Sequence, residues 1–407
     1  MSEPVRIGLL GRGTVGGAFA GLLAERADAV EAATGRRPEV IGTLSRSEGD
    51  FSDILGRSDV VVELIGGTDP ARTYVLDALR AGRPVVTANK QLLAQHGDEL
   101  FGVAREAGVQ LRFEAAVAGV IPIVRTIQES FGVTEIDKVF GIVNGTTNFI
   151  LSEMASSGAA YEQVLARAQE LGYAEADPTD DVNGADAAAK MAILARLAFH
   201  TPVTLDQVAF EGIEAIQPDD LAYAKELDLS LKLLGVAERR DGGVSVRVFP
   251  CFLYGGHPLA PVGGPFNAVM VEAPAITEVT MSGPGAGGIE TASAVLGDLV
   301  SILAGDAPAH EASERLPIVT DVTSSFYLHL EVADEPGVLA LIAQVLGENE
   351  ISVKSVVQRG FGDDARLVMV VHECLESKFR AAVEGIGRLD DLRSAPRFIR
   401  VIEEEFV

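Results

Sequence analysis

The 407-residue chain has no tryptophan, only two cysteines and only six histidines. Cys251 and Cys374 are far apart, with no C-x-x-C spacing, and the histidines never cluster. A disulfide framework and a zinc site are therefore unsupported, and a reducing cytoplasm is the expected setting. Positive charge is scarce: 33 lysines and arginines face 59 aspartates and glutamates, a formal net charge of −26. Partners that bind by neutralising phosphates, nucleic acids and anionic membranes alike, are not expected. No apolar stretch reaches the ~18 residues a membrane span needs. The opening MSEPVRIGLLG runs into a strand without a basic and then apolar leader. What remains is an acidic globular chain, 47% apolar, with length for two or three domains that each bury a core.

Taken in order, residues 1–130 read as a dinucleotide-binding domain. VRIGLLG is an apolar strand that turns through Gly11-x-Gly13-x-x-Gly16 into a helix. In the first βα turn of a chain, Gly11 makes the tight bend, Gly13 opens the backbone to pyrophosphate, and Gly16 lets helix and strand approach. Thr14 and Val15, between the last two glycines, belong to the same expected cofactor contact. EVIGTL is the second strand and ends in Ser45-Arg46-Ser47, where an NAD enzyme would carry an acidic residue. An arginine among hydroxyls suits a 2′-phosphate, hence NADP over NAD. DVVVELIGG, RPVVTANK and VQLRFEAAV continue a βα alternation, with helices over 70–81 and 91–106, which predicts a doubly wound α/β sheet. Thr87 and Lys90 sit at a carboxyl edge, where ligands bind in such sheets.

Residues 131–310 read as an α+β substrate-binding domain with a mixed sheet. It holds the turn Asn144-Gly145-Thr146-Thr147 before an apolar helix, a helical region through about Gly235, and the strands VSVRVFPCFL, FNAVMVEA and ITEVTMSGPGAGG. The glycines around Gly285, an expected cofactor contact, precede a helix over 289–305 that returns to the first domain. His310 to Thr323 read as a linker. Residues 324–407 alternate β-α-β-β-α-β, a small self-contained ferredoxin-like module without nucleophile, base or metal cluster.

The most informative stretch is EADPTDDVNGADAAAKMAILARLAF. Five carboxylates, Glu175, Asp177, Asp180, Asp181 and Asp186, crowd the start of a helix that carries Lys190. Asp186 and Lys190 are four apart on one helix face. At the surface such a pair is commonplace, but Lys190 continues into the apolar stripe of Ile193, Leu194 and Leu197. A lysine there must be paired or line a cavity. Burial would lower its pKa and the carboxylate would raise it, and the sequence leaves that balance open.

Together VVELIGG with TANK, GIVNGTTNFIL, and EADPTDDVNGADAAAK resemble homoserine dehydrogenases of the monofunctional type, which carry a C-terminal ACT domain. The resemblance spans the whole chain. It implies reversible NAD(P)-dependent interconversion of L-aspartate 4-semialdehyde and L-homoserine, on the route to threonine and methionine. It implies Lys190 as proton donor to the substrate oxygen, Asp186 as its partner, and Lys90 beside nicotinamide and substrate. Glu175 would take the substrate amino group, with Asp180 and Asp181 in the same loop, and Asn144, Gly145 and Thr146 would meet its carboxylate. A monovalent cation such as Na+ would lie between Glu114 and the carbonyls of Val117, Gly119 and Ile121. In that loop Val120 stands where similar proteins usually have a second glycine, and Ile289-Glu290 stands where a proline is common. A homodimer or homotetramer, with threonine as effector of the C-terminal module, is implied too. The competing readings are an inactive amino-acid sensor and another amino-acid dehydrogenase on the same architecture.

Overall fold

A computed structural model describes residues 4–305, 315–360, 362 and 365–402. Its first sheet contains β1 (Val5–Leu10), β2 (Pro38–Leu44), β3 (Val60–Glu63), β4 (Val85–Thr87) and β5 (Leu111–Arg112), all parallel, in the order β2-β1-β3-β4-β5. The crossovers are α1 (Thr14–Thr34), α2 (Phe51–Arg57), α3 (Ala71–Arg80) and α4 (Lys90–Ala107). Strand order reverses beside β1, so the crevice for a ligand lies at the end of β1, where Gly11 to Gly16 turn into α1. Gly11 has φ +102, and a Cβ on it would lie 2.4 Å from the Leu64 carbonyl oxygen. A Cβ on Gly16 would lie 2.1 Å from the Gly11 oxygen. The turn is therefore closed by contacts that only glycine permits.

The second sheet is mixed and has the order β11-β10-β6-β8-β9-β15-β12-β14-β13, with β7 beside β9. Its first part is built from β6 (Lys138–Ile142), β7 (Ala209–Phe210), β8 (Leu229–Arg240), β9 (Gly243–Tyr254), β10 (Phe266–Ala273) and β11 (Thr277–Pro284). Around it stand α5 (Ile123–Arg125), α6 (Gly145–Ser157), α7 (Tyr161–Glu170), α8 (Thr179–Val182), α9 (Ala185–Phe199) and α10 (Pro218–Glu226). α9 is apolar nearly all round and lies on this sheet. Met191 fits where Gly141 and Gly235 leave the strands without side chains; a Cβ on Gly235 would meet its Cγ at 2.3 Å. Helix was expected through about Gly235, but α10 ends at Glu226 and β8 starts at Leu229. Most of β8 is buried on both faces, so after the short alternation of LSLK the strand runs on through Leu233 to Ala237 without a polar residue, a five-residue run that periodicity cannot tell from helix. α11 (Gly288–Ala304) returns to the first sheet and packs Val295 and Leu299 with Ile7, Leu9, Phe19 and Leu23.

The remaining elements are β12 (Thr323–Glu331), α12 (Val338–Glu348), β13 (Val353–Arg359), β14 (Arg366–Leu375), α13 (Glu376–Ile386) and β15 (Arg397–Ile402). The order β15-β12-β14-β13 is the ferredoxin-like one, over a core in which Phe326 and Phe379 stack at 3.9 Å. The unit is not self-contained. β15 pairs in parallel with β9, Arg400 opposite Cys251 and Ile402 opposite Leu253, and carries the sheet on without a break. The expected linker is pinned as well: Leu316 N–H donates to Thr201 Oγ1 at 2.9 Å and Ile318 bridges Val244. Residues 310–314 of that linker lie outside the described residues. Among those described, no helix is long and apolar enough to cross a membrane.

Gly16→Ala should force α1 off β1, lowering stability by about 1–3 kcal/mol and weakening NADPH binding. Chemical denaturation and a fluorescence titration measure the two; parent-like values in both would refute the role given to this contact.

Candidate active site

Three segments meet at one carboxylate. Asp186 lies in the first turn of α9, whose amide dipole favours a negative charge there. Lys190, one turn on, donates from Nζ to Asp186 Oδ2 and to the Val143 carbonyl, both at 2.7 Å. Lys90, the first residue of α4, reaches across from the parallel sheet to Asp186 Oδ1 at 2.5 Å. Asn144 caps α6 through Oδ1, which accepts from Thr147 N, and donates from Nδ2 to Asp181 Oδ1 at 2.7 Å and Asp186 Oδ2 at 2.9 Å. The carboxylate of Asp186, 6% exposed, thus accepts from two ammonium groups and an amide.

Burial alone would raise the Asp186 pKa, but Lys190 and Lys90 outweigh it and hold the group far below the usual carboxylate range. For Lys190 burial wins: it pulls the pKa down, Asp186 opposes, and the neighbouring charge of Lys90 adds to the fall. Lys90 is also partly desolvated, yet Asp186, Asp181 and Asp180 push its pKa up. Asp181 is raised, by burial first and by repulsion from Asp186 second. The two lysines on one carboxylate are therefore pushed in opposite directions.

A cavity of about 450 Å³ opens beside this group, with Lys90, Asp186, Glu175, Asp180 and Asp181 on its wall. Gln91 and Gln95 of α4 line it too. They were not singled out from the sequence, although the helix that begins at Lys90 necessarily carries them along. Gly145 and Thr146 are not on that wall. The Thr146 hydroxyl donates to the Tyr173 carbonyl at 2.7 Å, and a Cβ on Gly145 would meet the Pro265 carbonyl oxygen at 2.6 Å. The double donation by Asn144 is the main feature missed; its one signal was an asparagine between a strand and a helix.

On the other side of Lys90 is the dinucleotide crevice. Gly13 is the N-cap of α1 and makes no side-chain cap, and no atom would lie within 4 Å of a Cβ on it, so the helix start is open to an anion. Thr14 faces the start of α11, 3.1 Å from where Gly288 would carry a Cβ, and Val15 is half-buried in the first turn. Arg46 is exposed in the loop after β2. Thr87 is committed: its hydroxyl donates at 2.6 Å to Glu63, a fully buried carboxylate at the end of β3 that sequence reading passed over.

Gly285 packs flat on Asn267, whose atoms a Cβ there would approach to 2.2 Å, and Gly119 packs on Gly285 and the Pro284 carbonyl. The loop from Val117 to Ile121 thus abuts the glycine-rich turn. Ala118 and Gly119 both have positive φ, 57 and 62°, which turns successive carbonyls within the loop. The Glu114 carboxylate accepts from Val124 N at 2.8 Å and Arg125 N at 2.9 Å, and the Ile121 carbonyl accepts from Ile123 N at 2.8 Å. One carboxylate and the carbonyl oxygens of a tight loop are the kind of donors a hard monovalent cation takes, with part of their capacity already used by Val124, Arg125 and Ile123. Among the described residues, no group of three or more His, Cys, Asp or Glu side chains could hold a metal ion.

Burial and the neighbouring Asp298 raise Glu114 to about 7, and burial raises Asp298 to about 6. Both folded-state values exceed the ordinary 4.5 and 3.8, so the protonated carboxyls favour the fold. That contribution is complete below the ordinary values and is lost as pH rises through 6 to 7. Glu114→Gln should therefore melt with a weaker pH dependence than the parent between about pH 4.5 and 7. Thermal melts across that window check it, and parallel curves would refute it.

A parallel sheet ending in a glycine turn, set against a largely buried lysine that shares its carboxylate with a second lysine, defines a dinucleotide-dependent oxidoreductase. The model of the homoserine dehydrogenase family matches residues 122–300, and that of the homoserine dehydrogenase NAD binding domain matches residues 11–114. A homoserine dehydrogenase of Corynebacterium glutamicum is 45% identical over 93% of this chain and 92% of its own length. The crystal structure of a homoserine dehydrogenase from Thiobacillus denitrificans matches with a TM-score of 0.95 at 38% identity, covering 98% of this chain and 99% of the other. A hyperthermophilic archaeal homoserine dehydrogenase in complex with NADPH matches with a TM-score of 0.62 at 25% identity, covering 76% of this chain and all of that one. The chain belongs to the homoserine dehydrogenase family and is an NAD(P)-dependent enzyme. The inactive-sensor and other-dehydrogenase readings are set aside.

Proposed function

We propose that the enzyme interconverts L-aspartate 4-semialdehyde and L-homoserine on the route to threonine and methionine, with Lys190 moving the proton at the substrate oxygen. The observation that carries this reading is the sharing of Asp186 by Lys190 and Lys90 beside an acid-walled cavity. The nicotinamide, when bound, supplies or accepts the hydride. Charge then builds on the carbonyl oxygen, and a nearby ammonium stabilises it and delivers the proton. A lysine whose pKa burial has lowered gives that proton up more readily in reduction, and a larger share of it is neutral and free to act as base in oxidation. Asp186 holds Lys190 in place, and Lys90, with its pKa raised, keeps a positive charge close to nicotinamide and substrate.

Glu175, Asp180 and Asp181 make the cavity wall suitable for an α-ammonium group. Asn144 is occupied with Asp181 and Asp186, and it also takes the Thr147 and Asn148 N–H groups, so the backbone donors left for a substrate carboxylate are those of Gly145 and Thr146 at the start of α6, which a substrate would have to reach beyond the wall of the 450 Å³ cavity. Arg46, between Ser45 and Ser47, supports NADP, as does the NADPH complex of the archaeal relative. Glu114 with the carbonyls of Val117, Gly119 and Ile121 would hold a monovalent cation. The ferredoxin-like unit supports an ACT-type role with threonine as effector, in a homodimer or homotetramer.

Lys190→Ala should lower homoserine oxidation by about 10²–10⁴-fold while NADPH titration stays close to the parent. Parent-like turnover would remove Lys190 from the mechanism. In the same assay the parent should prefer NADP to NAD and lose activity with threonine; equal use of both cofactors, or indifference to threonine, would overturn those two assignments.

A further inference from the structure

The C-terminal unit reaches the acidic wall of the cavity through one short strap, residues 209–213. β7 pairs in parallel with β9, and Glu211 N–H donates to the Val248 carbonyl at 2.9 Å. The Glu211 side chain is gripped from the C-terminal unit: Arg400 of β15 donates from Nη1 to Oε2 at 2.7 Å and from Nη2 to Oε1 at 2.9 Å, and Arg380 of α13 donates to Oε1 at 2.7 Å. Immediately after it the strap lies on the turn between α8 and α9. Ile213 N–H donates to the Val182 carbonyl at 2.9 Å. A Cβ on Gly212 would lie 2.3 Å from that same oxygen and 2.7 Å from Asn183 Cα, and one on Gly184 would lie 2.9 Å from the Glu211 oxygen. Backbone touches backbone, with no side chain between to absorb a shift. The turn so held carries Asp180 and Asp181 on one side and Asp186 on the other.

We propose that Glu211 is a positioning residue for the amino-acid end of the substrate: clamped by Arg400 and Arg380, it fixes the turn at Val182 to Gly184, so that the C-terminal unit sets affinity for homoserine. The inference rests on the reading of Asp180 and Asp181 as substrate contacts. The clamp is not what joins the two parts. Arg400 also binds Glu376, from Nε at 3.0 Å and Nη2 at 2.5 Å, and β15 keeps its pairing with β9. Loss of the Glu211 charge leaves that join and the backbone pairing of the strap intact and removes only the side-chain tie between the strap and the C-terminal unit.

The test is steady-state homoserine oxidation by the full-length chain. Glu211→Gln should raise KM for homoserine about two- to thirtyfold, with kcat and the dinucleotide KM unchanged. Arg400→Lys, which keeps a charge on the clamp, should fall between the parent and Glu211→Gln. Arg366→Gln removes a different tie from the same unit, the 2.8 Å ion pair to Asp219 on α10, and should leave KM for homoserine unchanged. An unchanged KM in folded Glu211→Gln overturns the proposal, and so does an equal rise in Arg366→Gln, which would mean general loosening. Should Glu211→Gln fail to fold, Arg380→Gln removes the outer arm together with its bond to Glu376 and leaves Arg400 on Glu211, and an unchanged KM there overturns it equally. Asp181→Asn separates the two levels: a parent-like KM in that variant sinks the substrate reading, whereas a raised one with parent-like Glu211→Gln sinks only the strap.

Discussion

The Asp186 carboxylate is the point on which the rest depends. It is buried, which is costly for a lone charge, and it is retained because two ammonium groups and an amide converge on it. Those donors come from three parts of the chain: Lys90 from the helix after β4, Lys190 from α9 itself, and Asn144 from the junction of β6 and α6. Removing one partner of such a buried group typically costs about 3–5 kcal/mol, because the others are left uncompensated. The charge network therefore does two things with the same atoms. It ties the first, parallel sheet to the second, mixed one, and it sets two lysines on one carboxylate to opposite proton affinities.

Much of this was legible in the sequence because it is local. The four-residue spacing of Asp186 and Lys190 on an apolar helix implied a paired buried lysine, and the ion pair stands at 2.7 Å. The glycines of the first βα turn announced close backbone approach, and Gly16 lies too near Gly11 for any side chain. The balance at Lys190 was not legible, since it is decided by how deeply the fold buries the ammonium, and the charge of Lys90, which adds to the fall, is placed nearby only by the fold. Nor was Asn144: as a helix cap it gives one signal, while its second task points at residues about forty positions away.

The larger misreadings share one physical cause. β8 loses its period from Leu233 to Ala237 because both its faces are covered there, and the joining of β9 to β15 showed nothing because parallel pairing over three residues leaves no pattern in either strand. The clamp on Glu211 is likewise invisible in sequence, being an exposed-looking glutamate whose arginine partners follow after more than a hundred intervening residues. What the chain hides is long-range registry, and here that registry connects a module without catalytic groups to the turn that bears the aspartates.

The return of α11 to the first sheet bears on how the protein is made. Phe19 and Leu23 of α1, with Ile7 and Leu9 of β1, are covered by Val295 and Leu299, which a ribosome delivers only after the strands β6 to β11 of the second sheet. Until then the dinucleotide sheet, first to emerge, keeps one apolar face open to water and to other nascent chains. The cofactor half is thus completed late, and a chain stopped before Gly288 would expose a sticky surface instead of a finished Rossmann-type unit.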